Sequence, residues 1–161
     1  MDVDAYVERL YAAFEAAPRP VSREIAPHSC WECDEIIARL GTHEARDVPA
    51  EDMHWLGDCL TLLGPKAFRY YLPRYIEFCL TTSDSNANGF INYNLAPSDS
   101  LDIGDRDRFK DFTAKERHVV LEFVKHRLEE EDGQFDAKHL EEAKAFWTAS
   151  PNKSLERTRE G

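Results

Sequence analysis

Apolar residues recur along most of this chain at steps of three and four, and no segment sustains a strict alternation. This spacing places apolar side chains on one face of a helix. The first such face is carried by Val3, Tyr6, Val7, Leu10 and Phe14. Five later segments repeat the pattern, each bounded by proline, glycine or a polar cap. The sequence therefore predicts a mainly α, single-domain bundle of about five to six helices.

Several local signals place the helix ends. Thr113 and Glu116 have the spacing of a capping box, in which each side chain bonds the other residue's backbone N–H. Pro65 suits a first helical turn, where its missing N–H costs nothing. Pro73 falls inside the same pattern and predicts a kink or break. Residues 81–108 are rich in Ser, Asp, Asn and Gly and predict a long irregular loop.

The length and the C-terminal composition predict one domain followed by a short tail. A chain of 161 residues suits one domain, here residues 1–149. Residues 150–161 are polar and aperiodic, so we expect a disordered C-terminal tail.

The excess of acidic over basic residues limits which partners and which cellular location we expect. The net charge is −11, from 20 basic and 31 acidic residues. Such a chain repels phosphate backbones and anionic lipid, so neither nucleic acid nor a membrane is expected as a partner. A protein partner fits better, and a basic protein surface would complement this charge. No secretory signal or apolar span is visible, so we expect a cytoplasmic protein. The oligomeric state does not follow from the sequence.

One cluster of soft ligands stands out, at His28, Cys30 and Cys33. Cys-x2-Cys spacing often begins a zinc site, and the fourth ligand must then come from His43, His54 or Cys59. Our predicted metal ligands are His28, Cys30, Cys33 and Cys59. Zinc is the one cofactor that the sequence suggests, and the favoured expectation is that no cofactor binds.

The same two cysteines allow two other interpretations. At a helix N-terminus, Cys30 is the nucleophile of a dithiol redox pair and Cys33 is its resolving thiol. Alternatively, Cys33 simply packs in the core beside Ile36, Ile37 and Leu40. Packing is the favoured interpretation, since a single Cys-x2-Cys is weaker than a pair and no strand–helix–strand pattern surrounds it.

Other motifs are weaker. Asp84–Leu95 resembles the front of a calcium loop but has Leu95 where a bidentate carboxylate should stand, so a turn-rich loop is favoured. His118, Glu122 and His126 share a helix face, which is more typical of a solvated charged stripe than of a metal site.

The dense aromatic segment around Arg69 and Tyr70 places these two residues off the apolar face, where they are candidates for binding a protein partner.

Several of these motifs together resemble a known family. They are the cluster at His28 and Cys30 to Cys33, the segment from Ala67 to Tyr75, and shorter matches at Ala13-Phe14, Pro18 to Pro20 and Phe109 to Glu116. The chain resembles, from Tyr6 to Leu128, a family of small bacterial proteins of unknown function. The resemblance implies a bacterial origin and the extent of the domain, and it assigns no activity.

No catalytic residue can be named from the sequence, because no nucleophile–base pair, paired catalytic carboxylates or phosphate-binding glycine loop is present. The leading hypothesis is therefore a non-catalytic, acidic binding or accessory protein that acts through protein contacts. The rival hypothesis is a zinc-binding or dithiol redox protein that uses Cys30 and Cys33.

Overall fold

The structure is a computed structural model that describes residues 1–83, 85–97, 107–130 and 134–149. Within these ranges the chain is helical and contains no strand. The α-helices are α1 (Val3–Phe14), α2 (Ser22–Ile25), α3 (Trp31–Leu40), α4 (Ala50–Leu56), α5 (Pro65–Thr81), α6 (Ser85–Tyr93), α7 (Ala114–Glu130) and α8 (Gln134–Thr148). Two 3-10 helices, at Ala45–Asp47 and Gly57–Leu62, flank α4.

The mainly α prediction is confirmed, but the predicted count of five to six helices is too low for the described residues, which form eight. The two additional helices are α2, a single turn, and α6. The segment predicted as one helix from Pro49 to Gly64 is α4 followed by a 3-10 helix. The predicted tail at 150–161 lies outside the described residues.

Helix α6 replaces part of the predicted irregular loop at 81–108. Asn and Gly are poor helix formers, which is why the local signal favoured a loop. Burial overrides that preference, because Ile91 and Asn92 are fully buried and the helix packs against α5, α8 and the 3-10 turn at Gly57–Leu62. Asp84, the first residue of the segment that resembles a calcium loop, lies outside the described residues. Most of the rest of that segment forms α6 (Ser85–Tyr93) rather than the favoured turn-rich loop.

Helix α5 lies at the centre of the fold and packs against α1, α2, α4, α6 and the 3-10 turn at Ala45–Asp47. Gly64 is its N-cap and Pro65 is its first residue, as the sequence predicts. The helix continues through Pro73 without a break, so that part of the prediction is wrong. The middle of the helix is buried on every side, because all six consecutive residues from Tyr71 to Ile76 are buried. This all-round burial holds the helix together despite the proline.

Helix α7 begins at the predicted capping box. The Glu116 N–H donates to Thr113 Oγ1 over 3.3 Å, and the Thr113 N–H donates to Glu116 Oε2 over 2.6 Å. The helix packs against α1 and α8. Further along it, His118 lies 4.0 Å from Glu122 and His126 lies 3.2 Å from Glu130. The His118 side chain is 72% exposed but that of His126 is only 16% exposed, so this face is solvated at its first histidine and not at its second.

Helix α2 fixes the segment that leads into α3. The Gly64 N–H donates to the Ile25 carbonyl over 2.9 Å, and Lys66 Nζ lies 2.5 Å from Glu24 Oε1. A Cβ on Gly64 would lie 2.5 Å from the Glu24 carbonyl oxygen, so this close approach requires glycine. Ile25 and Ala26 are buried, which anchors the short stretch from Pro27 to Cys30.

Candidate functional site

Cys30 forms the N-cap of α3. Its backbone is extended, with φ −148° and ψ 161°, and its Sγ accepts a hydrogen bond from the Cys33 N–H over 3.3 Å. A side-chain acceptor at this position satisfies one of the backbone donors that a helix leaves free in its first turn. The Cys-x2-Cys spacing produces this contact, because the third residue of the helix presents its N–H to the N-cap side chain.

The same geometry brings the two sulfurs together. Cys30 Sγ lies 3.0 Å from Cys33 Sγ. A disulfide has a sulfur–sulfur distance of about 2.05 Å, so a movement of about 1 Å joins the pair. Both residues are free thiols here, and they differ sharply in exposure, since Cys30 is exposed and Cys33 is fully buried. The pair therefore has one accessible and one protected sulfur.

The pKa of Cys33 is raised to about 11, first by burial, then by the hydrogen bond with Cys30 and by the charge of that neighbour. The backbone N–H of His28 acts in the opposite direction. Cys33 consequently keeps its proton at neutral pH. When Cys30 is a thiolate, the Cys33 S–H is therefore able to donate to it.

The other two cysteines are buried and are held elsewhere. The Cys59 thiol donates to the Trp55 carbonyl over 3.7 Å. Burial, followed by the charges of Glu32 and Asp58, raises the pKa of Cys59 to about 11. On α5, burial raises the pKa of Cys79 to about 12. The packing interpretation thus describes Cys33, Cys59 and Cys79 well, while Cys30 remains accessible.

The predicted zinc ligands do not all meet in the described part of the chain. His28 is exposed, and the backbone N–H rather than the imidazole is the group that acts on Cys33. Among the described residues, no three or more His, Cys, Asp or Glu side chains are grouped so that they could hold a metal ion. Zinc binding by His28, Cys30, Cys33 and Cys59 stays a prediction.

Two residues that sequence reasoning passed over lie between the thiols. Trp31 is 73% exposed, although tryptophan is usually largely buried. Glu32 is half-buried, and its charge raises the pKa of both Cys33 and Cys59. The signal that could have identified them is their position inside the Cys-x2-Cys motif, between the two candidate cysteines.

The two predicted protein-binding residues have different surroundings. The Arg69 side chain is only 15% exposed, and its guanidinium pairs with the buried carboxylate of Glu116. Tyr70 is half-buried, and its hydroxyl donates to Glu44. Tyr70 also lines a shallow cleft of about 370 Å³, whose other walls include Tyr11, Arg19, Arg46 and Pro73. Of the predicted pair, Tyr70 is therefore the residue that a ligand or partner can reach.

A family profile described as a family of unknown function, DUF6714, matches residues 7–151. The chain belongs to this family. The match confirms the resemblance to a family of unknown function, and it extends beyond Leu128. No curated protein and no solved structure matches the chain. Family membership therefore supplies no activity, and function must be argued from the residues themselves.

None of the helices in the described ranges combines the length and the apolar character needed to cross a membrane.

Proposed function

We propose that this chain is a dithiol–disulfide exchange protein in which Cys30 is the attacking thiol and Cys33 is the resolving thiol. The observation that carries this proposal is the 3.0 Å separation of an exposed and a buried sulfur at the start of a helix. Packing accounts for Cys33 and helix capping accounts for the position of Cys30, but serine is a better N-cap than cysteine and capping does not require a sulfur there.

The exchange proceeds in two balanced steps. The Cys30 thiolate attacks one sulfur of a substrate disulfide, so that a Cys30–substrate bond forms and the substrate bond breaks. Cys33 then attacks Cys30 Sγ and passes its proton to the departing thiolate, which leaves a Cys30–Cys33 disulfide. The substrate gains two electrons and is reduced, while the protein is oxidised. A thiol reductant returns the protein to the dithiol state.

The local structure supports this division of roles. The Cys33 N–H donates to Cys30 Sγ, and this hydrogen bond strengthens when the sulfur carries negative charge. The raised pKa of Cys33 keeps the second thiol protonated until the mixed disulfide has formed, so that only the exposed sulfur begins the reaction.

The test is catalysis of the reduction of insulin disulfides by dithiothreitol, followed as insulin precipitation. We expect the native protein to accelerate it and both Cys30→Ser and Cys33→Ser to abolish the acceleration. Cys79→Ala is the matched control, since it removes a buried thiol on another helix and should retain activity. Zinc content is measured first, because zinc bound to the thiolates would block exchange and would support the metal hypothesis.

A trapping experiment assigns the two roles. Cys33→Ala should accumulate a mixed disulfide between Cys30 and the substrate, which intact-mass spectrometry detects. The proposal is wrong if the native protein gives no acceleration, or if the mixed disulfide forms equally well in Cys30→Ala.

A second candidate function is docking of a protein partner at the cleft beside Tyr70. Tyrosine and arginine dominate binding hot spots, and Tyr11, Arg19, Arg46 and Tyr70 all line this cleft. The arginines are paired: Arg19 Nη1 lies 2.5 Å from Glu44, and Arg46 pairs with Glu8 and covers the ring of Tyr11. This arrangement presents stacked, preorganised side chains to a partner.

Tyr70→Ala tests the second candidate by affinity capture on the immobilised protein. Tyr93→Ala is the control, since Tyr93 is an exposed tyrosine that does not line the cleft. Docking at the cleft predicts a bound protein that is lost with Tyr70→Ala and retained with Tyr93→Ala. Equal capture by both variants excludes this role for the cleft.

A further inference from the structure

The start of α3 carries an unbalanced negative charge beside the two thiols. Three acidic residues occupy this region, and two of them have cationic neighbours. Asp34 lies 4.0 Å from Arg23, and Glu35 lies 3.6 Å from Arg39. Across the described part of the chain, Glu32 has no hydrogen bond or ion pair with a cation. Its charge nevertheless reaches the buried thiols, since it acts on both Cys33 and Cys59.

The other residue between the thiols also favours cations. Trp31 is the most exposed of the large apolar side chains in the described residues, at 73%, ahead of Val21 at 67%. The face of an indole attracts ammonium and guanidinium groups, and it does so better than other aromatic rings. The first turn of α3, directly after Cys30, therefore carries an exposed indole and a carboxylate that has no cationic partner among the described residues.

We propose that Cys30 exchanges preferentially with disulfides that stand beside a cationic group, as in a basic protein with Lys or Arg next to its cystine, and that Glu32 and Trp31 recognise the cation. This inference rests on the dithiol function proposed above and specifies its substrate class. The net charge of −11 acts in the same direction, because a negative protein attracts basic partners at long range and repels anionic thiols and disulfides such as those of glutathione.

The experiment uses three small disulfides of different charge: dicationic cystamine, neutral 2-hydroxyethyl disulfide and dianionic dithiodipropionate. Each is mixed with the reduced native protein, and formation of the Cys30–Cys33 disulfide is followed by mass. Each rate is divided by the rate at which dithiothreitol reduces the same disulfide. This normalisation cancels the differences in intrinsic reactivity among the three disulfides. We expect the normalised rates to decrease from cystamine to the dianion and to converge at high ionic strength.

Two variants assign the recognition. Removing one charge near the site changes the rate of a dication by about threefold to tenfold, so Glu32→Gln should lower the normalised cystamine rate by that factor and raise the dianion rate. Trp31→Leu keeps an apolar side chain but loses the aromatic face, and it should also lower the preference for cystamine. Glu141→Gln is the matched control, since it removes the same charge from α8, where Glu141 pairs with Lys144.

The possible outcomes separate this inference from the function on which it rests. Normalised rates that do not depend on charge overturn the substrate class while leaving the dithiol function intact. A preference that Glu141→Gln reduces as much as Glu32→Gln shows that overall charge is responsible, and it overturns the assignment to Glu32. Absence of exchange with all three disulfides overturns both proposals.

Discussion

Arg69 and Glu116 form a multiply bonded ion pair that joins α5 to α7 across 47 positions of the sequence. Arg69 Nη2 lies 2.9 Å from Glu116 Oε1, and Arg69 Nε donates to both carboxylate oxygens over 3.0 and 3.2 Å. The Glu116 side chain is 1% exposed, and it also accepts from the Thr113 N–H. One carboxylate therefore caps α7 and fixes this helix to the central helix.

Glu116→Gln should destabilise the fold strongly. Glutamine keeps the shape and still accepts from the Thr113 N–H, but it leaves the guanidinium of Arg69 in a largely buried position without a counter-charge. The expected loss is about 2–4 kcal/mol in the free energy of unfolding, measured with urea. The control is Glu122→Gln on the same helix, whose exposed pair with Arg9 should contribute less than about 1 kcal/mol. Equal losses in the two variants would contradict the structural role of the buried pair.

The exposure of the four cysteines predicts a selective alkylation pattern. At pH 8, iodoacetamide should modify Cys30 first in the folded, reduced protein. Cys33, Cys59 and Cys79 are buried, and their raised pKa values leave roughly one thiol in a thousand ionised for a pKa near 11. Peptide mass spectrometry after timed quenching measures the order. Modification of all four thiols at one common rate, as in the chain unfolded in urea, would contradict the predicted protection.

Substitution of Cys30 separates its capping role from its chemistry. Serine is among the best N-cap residues, so Cys30→Ser should preserve the stability of the reduced protein. Cys30→Ala removes the acceptor for the Cys33 N–H and should cost about 0.5–2 kcal/mol. Thermal unfolding of the two variants under reducing conditions measures the difference. If the Ser variant is stable but inactive in disulfide exchange, the sulfur of Cys30 is needed for the reaction and not for stability. Equal stability of the Ser and Ala variants would show that the cap contributes little.

Local sequence signals predicted much of the fold. Some features depend only on residues that are neighbours in the sequence, so the sequence alone predicts them. They are the apolar stripes of α1 and α3, the capping box at Thr113 and the start of α5 at Pro65. Helix α6 could not be predicted in this way, since its Asn-rich sequence opposes helix formation and only its packing against α5 and α8 makes it helical. The helix does not break at Pro73 for the same reason, because the buried surroundings of α5 outweigh one missing hydrogen bond.

The sequence predicted only part of the candidate site. The Cys-x2-Cys spacing identified Cys30 and Cys33, but their unequal exposure depends on where α3 begins and on what covers Cys33. Arg69 was predicted to contact a partner because it lies off the apolar stripe of its own helix. Its ion pair with Glu116 involves a residue 47 positions away, and periodicity along one helix carries no information about such a contact.

Buried tyrosines predict the response of the fold to alkali. The hydroxyl of Tyr71 donates to the Leu40 carbonyl over 2.8 Å, and that of Tyr75 donates to Leu56 over 3.1 Å. Burial is the largest cause that raises the pKa of Tyr71 to about 12, and it raises the pKa of Tyr75 further. In the unfolded chain both ionise near pH 10, so above that pH the unfolded state binds fewer protons and the free energy of unfolding falls as pH rises.

We therefore expect a cooperative loss of helical circular dichroism above pH 10, coincident with the rise in tyrosinate absorbance of the buried tyrosines. Tyr71→Phe should lose about 0.5–1.5 kcal/mol at neutral pH with its hydrogen bond, yet show a shallower decline above pH 10 because one titrating group is gone. Tyr93→Phe, at an exposed position, is the control and should leave the stability at neutral pH unchanged. If every tyrosine titrated near pH 10 while the helical signal stayed intact, the hydroxyls of Tyr71 and Tyr75 could not be buried as the structure places them.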